Sequence, residues 1–349
     1  MKAEIITYYY SNNYGAVLQA ESLKKFVTSN SNYSVTFSKY TPKKLFFREH
    51  YKPLLKKNIF HFIQSVKKYF AMKKWKKKNN IEKPIHNKIR LNNDLSIYGS
   101  DEIWNFSNPF FGYDPFFFGE LNSSKKISYA ASIGNADIKK ITPDQKSRMK
   151  QLLNSFYYIS VRDENSYNFV YEITNRKPDI VVDPIFLTDD EDNNVANLYG
   201  ALAGKEYALV YGNYFFEEEQ KKIINFCKKN KVELISIGYL NNWIKKNNLN
   251  INPDEFKYYV KNAKFVFTSM FHGVMFSVKY NKQFWFTQDP YRKNKLEYFL
   301  DYLNLKPQLL NSFNNLDKLI NYEPINGNLS KWIEFSKKNL LNQLNSKSL

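Results

Sequence analysis

Tyr207-Ala208-Leu209-Val210-Tyr211, then Glu217 to Lys229, then Glu233-Leu234-Ile235-Ser236-Ile237 reads as strand, helix, strand, and this rhythm decides the fold class. It continues as a helix over Pro253–Asn262, a strand over Phe265–Ser269, a helix over Gly273–Tyr280 and a strand over Gln283–Thr287. Strands that alternate with helices imply βαβ crossovers and a parallel sheet. The same alternation runs through the first half. Ala3–Tyr9 and Val35–Tyr40 read as strands either side of a helix with Val17, Leu18, Leu23 and Phe26 on its apolar side. Leu95–Tyr98, Lys126–Ser132, Tyr158–Arg162 and Ile180–Asp183 follow as strands, with helices expected over Pro143–Phe156 and Glu164–Ile173.

Asp189–Asn194 is polar, acidic and aperiodic, and reads as a linker between the two series. The expected class is therefore α/β, with two Rossmann-like domains and a cleft between them. The first spans 1–190, the second 195–320, and a C-terminal helix around Trp332–Leu344 falls within 321–349. A chain of 349 residues is long enough for two such cores. With 43% hydrophobic and 17% aromatic residues, it is not a disordered protein.

Cysteine usage is narrow: Cys227 stands alone, which excludes an internal disulfide framework and a multi-cysteine metal site. The four histidines, at positions 50, 61, 86 and 272, form no HxxxH or HxH pair, so no metal is expected. No apolar run approaches the length of a membrane span, and Ile5–Tyr10 followed by Ser11-Asn12-Asn13 does not resemble a signal peptide, so a cytoplasmic location is expected.

The formal charge of +19 is concentrated in one segment. Between Lys43 and Arg90, fourteen lysines and two arginines oppose only Glu49 and Glu82, a surplus of +14. Leu55, Ile59, Phe62, Ile63, Val66, Tyr69 and Phe70 recur there at spacings of three and four, and Lys56, Lys57, Lys67, Lys68, Lys73 and Lys74 lie mostly off that stripe. This basic helical insertion, about 43–90, has three readings. The default is a core-packed helix with a solvated lysine face. The others are a helix at the surface of an anionic membrane and a nucleic-acid surface. With no nucleic-acid module elsewhere, no nucleic-acid partner is expected.

In α/β sheets ligands bind beyond the carboxyl ends of the strands, so residues just after each strand carry most information. His272 follows a strand in Thr268-Ser269-Met270-Phe271-His272-Gly273, at a helix start. It could serve as a general acid or base, or simply hold a backbone carbonyl. Asp101, in Tyr98-Gly99-Ser100-Asp101-Glu102-Ile103-Trp104-Asn105, could take a hydroxyl proton or cap a turn. Arg162, in Ser160-Val161-Arg162-Asp163-Glu164, could bind a carboxylate or phosphate, or pair with a neighbouring acid. Ser11–Gly15 has a single glycine and is no phosphate-binding fingerprint, but its asparagines and helix-start amides could contact a ligand.

Taken in order, six motifs resemble the polysaccharide pyruvyl transferase family. They are Asn12-Asn13-Tyr14-Gly15-Ala16-Val17-Leu18-Gln19, Gly99 to Asn105, Tyr129-Ala130-Ala131-Ser132-Ile133-Gly134, Ser160 to Ser166, Val182-Asp183-Pro184 and Ser269-Met270-Phe271-His272-Gly273. The resemblance runs from about Lys2 to Leu305. It implies a glycosyltransferase-B-like scaffold and transfer of the enolpyruvyl carbons of phosphoenolpyruvate onto two sugar hydroxyls as a cyclic ketal, with release of phosphate. It further implies a cell-envelope glycan or lipid-linked sugar as acceptor, and no cofactor beyond phosphoenolpyruvate as co-substrate.

By the same resemblance, His272 and Asp101 are the catalytic pair, and Arg162, Lys295 and Arg292 bind the donor. Asn13 and Tyr14 are expected to face the acceptor. Two departures stand out. The family's usual Asp-Ser before Phe-His-Gly reads Ser269-Met270, and an expected arginine is Lys295. The alternatives are a glycosyltransferase using a nucleotide sugar on the same scaffold, and a non-catalytic basic protein that binds glycan or nucleic acid.

Overall fold

The computed structural model describes residues 1–51, 55, 59–88, 93–121, 123–190, 204–288, 293–310 and 315–346. The chain begins with β1 (Lys2–Ile6), α1 (Tyr14–Ser29) and β2 (Ser34–Phe37), then two helices of the basic segment, α2 (Lys43–His50) and α3 (Ile59–Lys78). β3 (Asn93–Tyr98), β4 (Ser123–Ser128), α4 (Pro143–Asn154), β5 (Ser160–Val161), α5 (Glu164–Thr174) and β6 (Asp179–Ile180) complete the first half. The second half contains β7 (Tyr207–Tyr211), α6 (Glu217–Lys229), β8 (Glu233–Ile237), β9 (Lys246–Asn248), α7 (Pro253–Asn262), β10 (Phe265–Thr268), α8 (Phe271–Lys279) and β11 (Gln283–Phe286). It ends with α9 (Lys293–Tyr302) and α10 (Tyr322–Asn345).

Among the described residues, all the strand pairings are parallel. The first sheet runs β2-β1-β3-β4, and β5-β6 extends it through the bridges Ile127↔Tyr158 and Ala131↔Val161. The second runs β11-β10-β7-β8-β9. Two parallel α/β sheets facing each other make a glycosyltransferase-B-like architecture. The central strands β7 and β10 are short, apolar and without an exposed residue, as crossover helices on both faces require. β9 has no counterpart in the expected strands, because Lys246-Asn247-Asn248 carries no apolar signal; its backbone pairs with β8 at an edge. The linker expected over 189–194 lies outside the described residues from position 191 onward.

One apolar core runs through both halves, joining Ile5, Leu95 and Ile97 of the first sheet to Leu209, Phe256 and Val274 around the second. Tyr14 is its pivot. Fully buried, it stacks on Phe256 with centroids 5.2 Å apart and donates to the backbone oxygen of Ile251 at 3.1 Å. The ammonium of Lys279 donates to the carbonyls of Ile185 and Thr188 at 2.6 and 2.8 Å and pairs with Asp190 at 3.2 Å, fixing the crossing between the halves. α10 returns to the first sheet, where Trp332 Nε1 donates to the Ile180 carbonyl and Ser336 Oγ accepts from the amide of Val182.

The basic segment departs from its default reading. In α3, Met72, Trp75 and Lys76 are buried, and Trp75 Nε1 reaches Asp254 across the halves at 3.0 Å. Phe62, Ile63 and Phe70 of the expected core stripe are instead exposed. Apolar periodicity located a face of α3, but the fold buries a different one. Among the described residues, no helix is long and apolar enough to cross a membrane.

Candidate active site

Each half presents the carboxyl ends of its strands to a cleft of about 440 Å³ between them. Asn13, Asp101 and Arg162 line it from the first half, and Tyr211, Met270 and His272 from the second. Three of the chemistry-bearing residues expected from sequence thus converge, although more than a hundred positions separate Arg162 from His272.

His272 sits in the first turn of α8, whose N-cap Met270 offers no side-chain oxygen to the leading amides. Its imidazole rests on the start of α1. A Cβ added to Gly15 would lie 2.1 Å from His272 Cγ and 2.2 Å from Nδ1, so Gly15 is required for space. Gly15→Ala is expected to displace the ring, cost about 1–3 kcal/mol of stability through overpacking, and reduce turnover by more than the unfolded fraction explains. Kinetics beside a denaturant titration check this; normal turnover would show the ring position to be irrelevant.

The centre of the site is a carboxylate to which the sequence alone assigns no role. Asp183, just beyond β6, has one oxygen, Oδ2, 3.1 Å from Arg162 Nη1 and 3.6 Å from His272 Nε2. Its other oxygen accepts the Ile185 amide at 3.1 Å. Burial alone would raise the Asp183 pKa, but His272, Arg162 and the Ile185 N–H together hold it below the ordinary carboxylate value. Asp183 is therefore an anion that fixes a guanidinium and an imidazole relative to one another. The available signal was its place at a strand's carboxyl edge in Val182-Asp183-Pro184.

Arg162 is buried, with its guanidinium centre 4.3 Å from the Phe271 ring centroid. Its Nε is enclosed without a hydrogen-bond partner, and His272 Nε2, also enclosed, has only the longer 3.6 Å approach to Asp183. Of the two sequence readings of Arg162, the structure shows the pairing with an acid, Asp183. Asp101 lies 3.9 Å from Arg162 Nη2. Its φ of +76° is the left-handed region, which Asp tolerates better than most residues. Its Oδ1 accepts the Glu102 amide at 2.9 Å, so the carboxylate is held by its own turn at the cleft edge. Behind it, Gly99 has φ +121° and no room for a Cβ, which would meet the Tyr129 carbonyl at 2.2 Å.

The neighbouring loop is tied down by Asp163, which accepts from Ser132 Oγ at 2.5 Å and from the Ser166 amide at 2.8 Å. Asn13 Oδ1 caps α1 by accepting the Gly15 amide at 2.9 Å while the residue lines the cleft. Tyr14 does not face the cleft. Its ring belongs to the core and its hydroxyl to backbone carbonyls, so the expected acceptor contact is corrected to a structural role. The side chain of Lys295 and the whole of Arg292 lie outside the described residues. A cation unanticipated as a site residue is present instead: Arg48 of α2 lines the cleft, 3.6 Å above the Phe110 ring. Asn105, Asn108 and Asn135 add amides to that wall, and Asn135 Oδ1 is enclosed without a partner. Among the described residues, no group of three His, Cys, Asp or Glu side chains could hold a metal ion.

Chemically, the arrangement offers a proton-carrying ring, a carboxylate at the cleft edge and cationic donors for a small anion. Aromatic and amide walls of this kind suit a polyhydroxylated ligand. A family model described as polysaccharide pyruvyl transferase matches residues 13–287. No curated protein matches the chain. Among solved structures, the UDP-GlcNAc 2-epimerase of Neisseria meningitidis bound to UDP-GlcNAc is 10% identical, with 100% of this chain and 95% of that chain covered and a TM-score of 0.45. The UDP-GlcNAc 2-epimerase from Methanocaldococcus jannaschii is 11% identical over 100% and 94%, with a TM-score of 0.46. The E. coli ADP-heptose lps heptosyltransferase II is 10% identical over 97% and 100%, with a TM-score of 0.36.

Proposed function

Because the chain belongs to the polysaccharide pyruvyl transferase family, we propose that it forms a pyruvate ketal on a sugar of a cell-surface polysaccharide or its precursor, with phosphoenolpyruvate as donor and phosphate as leaving group. The observation that carries this reading is that Arg162 and His272 line one cleft and are joined behind it by the Asp183 carboxylate, with Arg162 Nε left without a hydrogen-bond partner.

The donor is a small polyanion, and Arg162 supplies the planar fork suited to its carboxylate or phosphate. Lys295 and Arg292 are assigned the remaining donor charge on the resemblance alone. His272 delivers a proton to the methylene carbon as a first sugar hydroxyl attacks the adjacent carbon. Loss of phosphate then makes that carbon electrophilic again, and the second hydroxyl closes the ketal. Two hydroxyl protons are released in all: one restores the proton spent on the methylene, and the other leaves with phosphate. Asp101 orients or deprotonates the attacking hydroxyl, and Asn13 contacts the acceptor. Asp183 stays ionised throughout and balances whichever cation His272 becomes. The resulting activity is consistent with a cytoplasmic enzyme of envelope biosynthesis that needs no metal or further cofactor.

The test presents the full-length protein with phosphoenolpyruvate and a panel of free, nucleotide-linked and lipid-linked sugars. Acceptor-dependent phosphate release, with the acceptor gaining a ketal detectable by mass and by its methyl resonance, is the expected result. Release of a nucleoside diphosphate from a sugar nucleotide, without turnover of phosphoenolpyruvate, would replace this reading with glycosyl transfer.

A further inference from the structure

We propose that α2 and α3 form a docking surface for an anionic lipid bilayer, set at the mouth of the cleft. At 3.6 residues per turn, Phe62, Ile63, Val66 and Phe70 fall within about 100° of arc on α3. That arc points away from the protein: Phe62, Ile63 and Phe70 are 39%, 43% and 59% exposed, while Met72 and Trp75 on the other side are buried. Lys73 and Lys77 continue the exposed line toward the C-terminus of the helix, Lys67 and Lys74 flank it, and all four are exposed. α3 contains no aspartate or glutamate. Its outer face is thus apolar in the first half and cationic in the second.

The surface extends onto α2, where Phe47 is 54% exposed and its ring lies 5.8 Å from that of the exposed Tyr51. Arg48, next to Phe47 in the helix, lines the cleft. One short helix therefore gives one side chain to the site and its neighbours to the patch. α3 is in turn anchored to both halves, through Lys76 to the Tyr10 carbonyl at 3.0 Å in the first and through Trp75 to Asp254 and Lys68 to the Gly238 carbonyl in the second, so the patch has a fixed orientation to the cleft.

Charge and apolar exposure together select the occupant. A polyphosphate strand would satisfy the lysines but leave the phenylalanines and isoleucine in water. A bilayer with anionic headgroups accepts lysines at the phosphate level and apolar side chains just beneath. Bound in this way, the protein would present its cleft to substrates at the membrane plane, whichever transfer it catalyses.

Sedimentation with vesicles tests this, using phosphatidylcholine alone and phosphatidylcholine mixed with phosphatidylglycerol. The full-length protein is expected to pellet with the mixed vesicles and to remain in solution with the neutral ones. K67E/K74E/K77E should weaken binding by at least about a hundredfold, at roughly fivefold or more per lysine. F62S/I63S/F70S should weaken it by at least about tenfold. Both variants alter exposed side chains, so melting curves should match the parent, and either one suffices if the other misfolds. The proposal fails if the parent does not pellet with mixed vesicles, or if both variants pellet as well as the parent does. It also fails if a single-stranded oligonucleotide binds while vesicles do not. Conversion of a dimer to a monomer by F62S/I63S/F70S, with vesicle binding unchanged, would assign the face to a second copy instead.

Discussion

His272→Ala is expected to lower turnover by roughly 10²–10⁴, the usual value of proton transfer by a positioned group, with little change in the apparent affinity for the donor. Imidazole is the side chain best suited to exchange a proton with substrate, and here it lines the cleft with its Nε2 3.6 Å from the Asp183 carboxylate that orients it. Its removal leaves Asp183 paired with Arg162, so no buried charge is stranded and the fold should survive. The comparison is steady-state kinetics on parent and variant of matched melting temperature. Parental turnover in the folded variant would remove His272 from the chemistry and leave the ring as packing against Gly15.

Asp183→Asn should have the largest effect on stability. The substitution keeps the shape and the oxygen that accepts the Ile185 amide, but removes the charge facing Arg162 and His272. Breaking a buried pair by neutralising one partner costs about 3–5 kcal/mol, because the other charge stays buried without compensation. The pH dependence separates this cause from a packing defect. Asp183 has a folded-state pKa below its ordinary value of 3.8, so the unfolded chain binds the proton more tightly. Its contribution is then present above about pH 3.8 and lost as pH falls through the lower folded value. Denaturation at neutral pH should show the full deficit, and the parent and variant curves should approach each other as pH falls below 3.8. A deficit that is constant with pH would mean that the charge is not what stabilises the site. Turnover should fall too, since the arginine and the imidazole lose the anion that aligns them.

Much of the architecture was legible in the chain. Tyr207–Tyr211, Glu217–Lys229, Glu233–Ile237 and Pro253–Asn262 form where the pattern of apolar residues placed them, because helix and strand periods differ and fully buried strands are continuous apolar runs. Strand ends were less secure. β5 closes at Val161 and β6 at Ile180, and the residues beyond them leave the ladder to form the site. α8 begins at Phe271 instead of Gly273, which moves His272 from a loop into the first helical turn.

The sequence by itself determined that strands alternate with helices in two series, and that His272, Asp101 and Arg162 each follow a strand. In parallel sheets that places each of them at the carboxyl edge of its own sheet. Only the tertiary structure decided which of them meet, and that a fourth residue, Asp183, holds two of them. It also turned Tyr14 into the core and the apolar face of α3 outward. The physical reason is common to all of these. Local pattern reports a side chain's direction relative to its own element, whereas Coulomb attraction, burial and steric clearance depend on what another element, distant in the chain, brings to within a few ångströms.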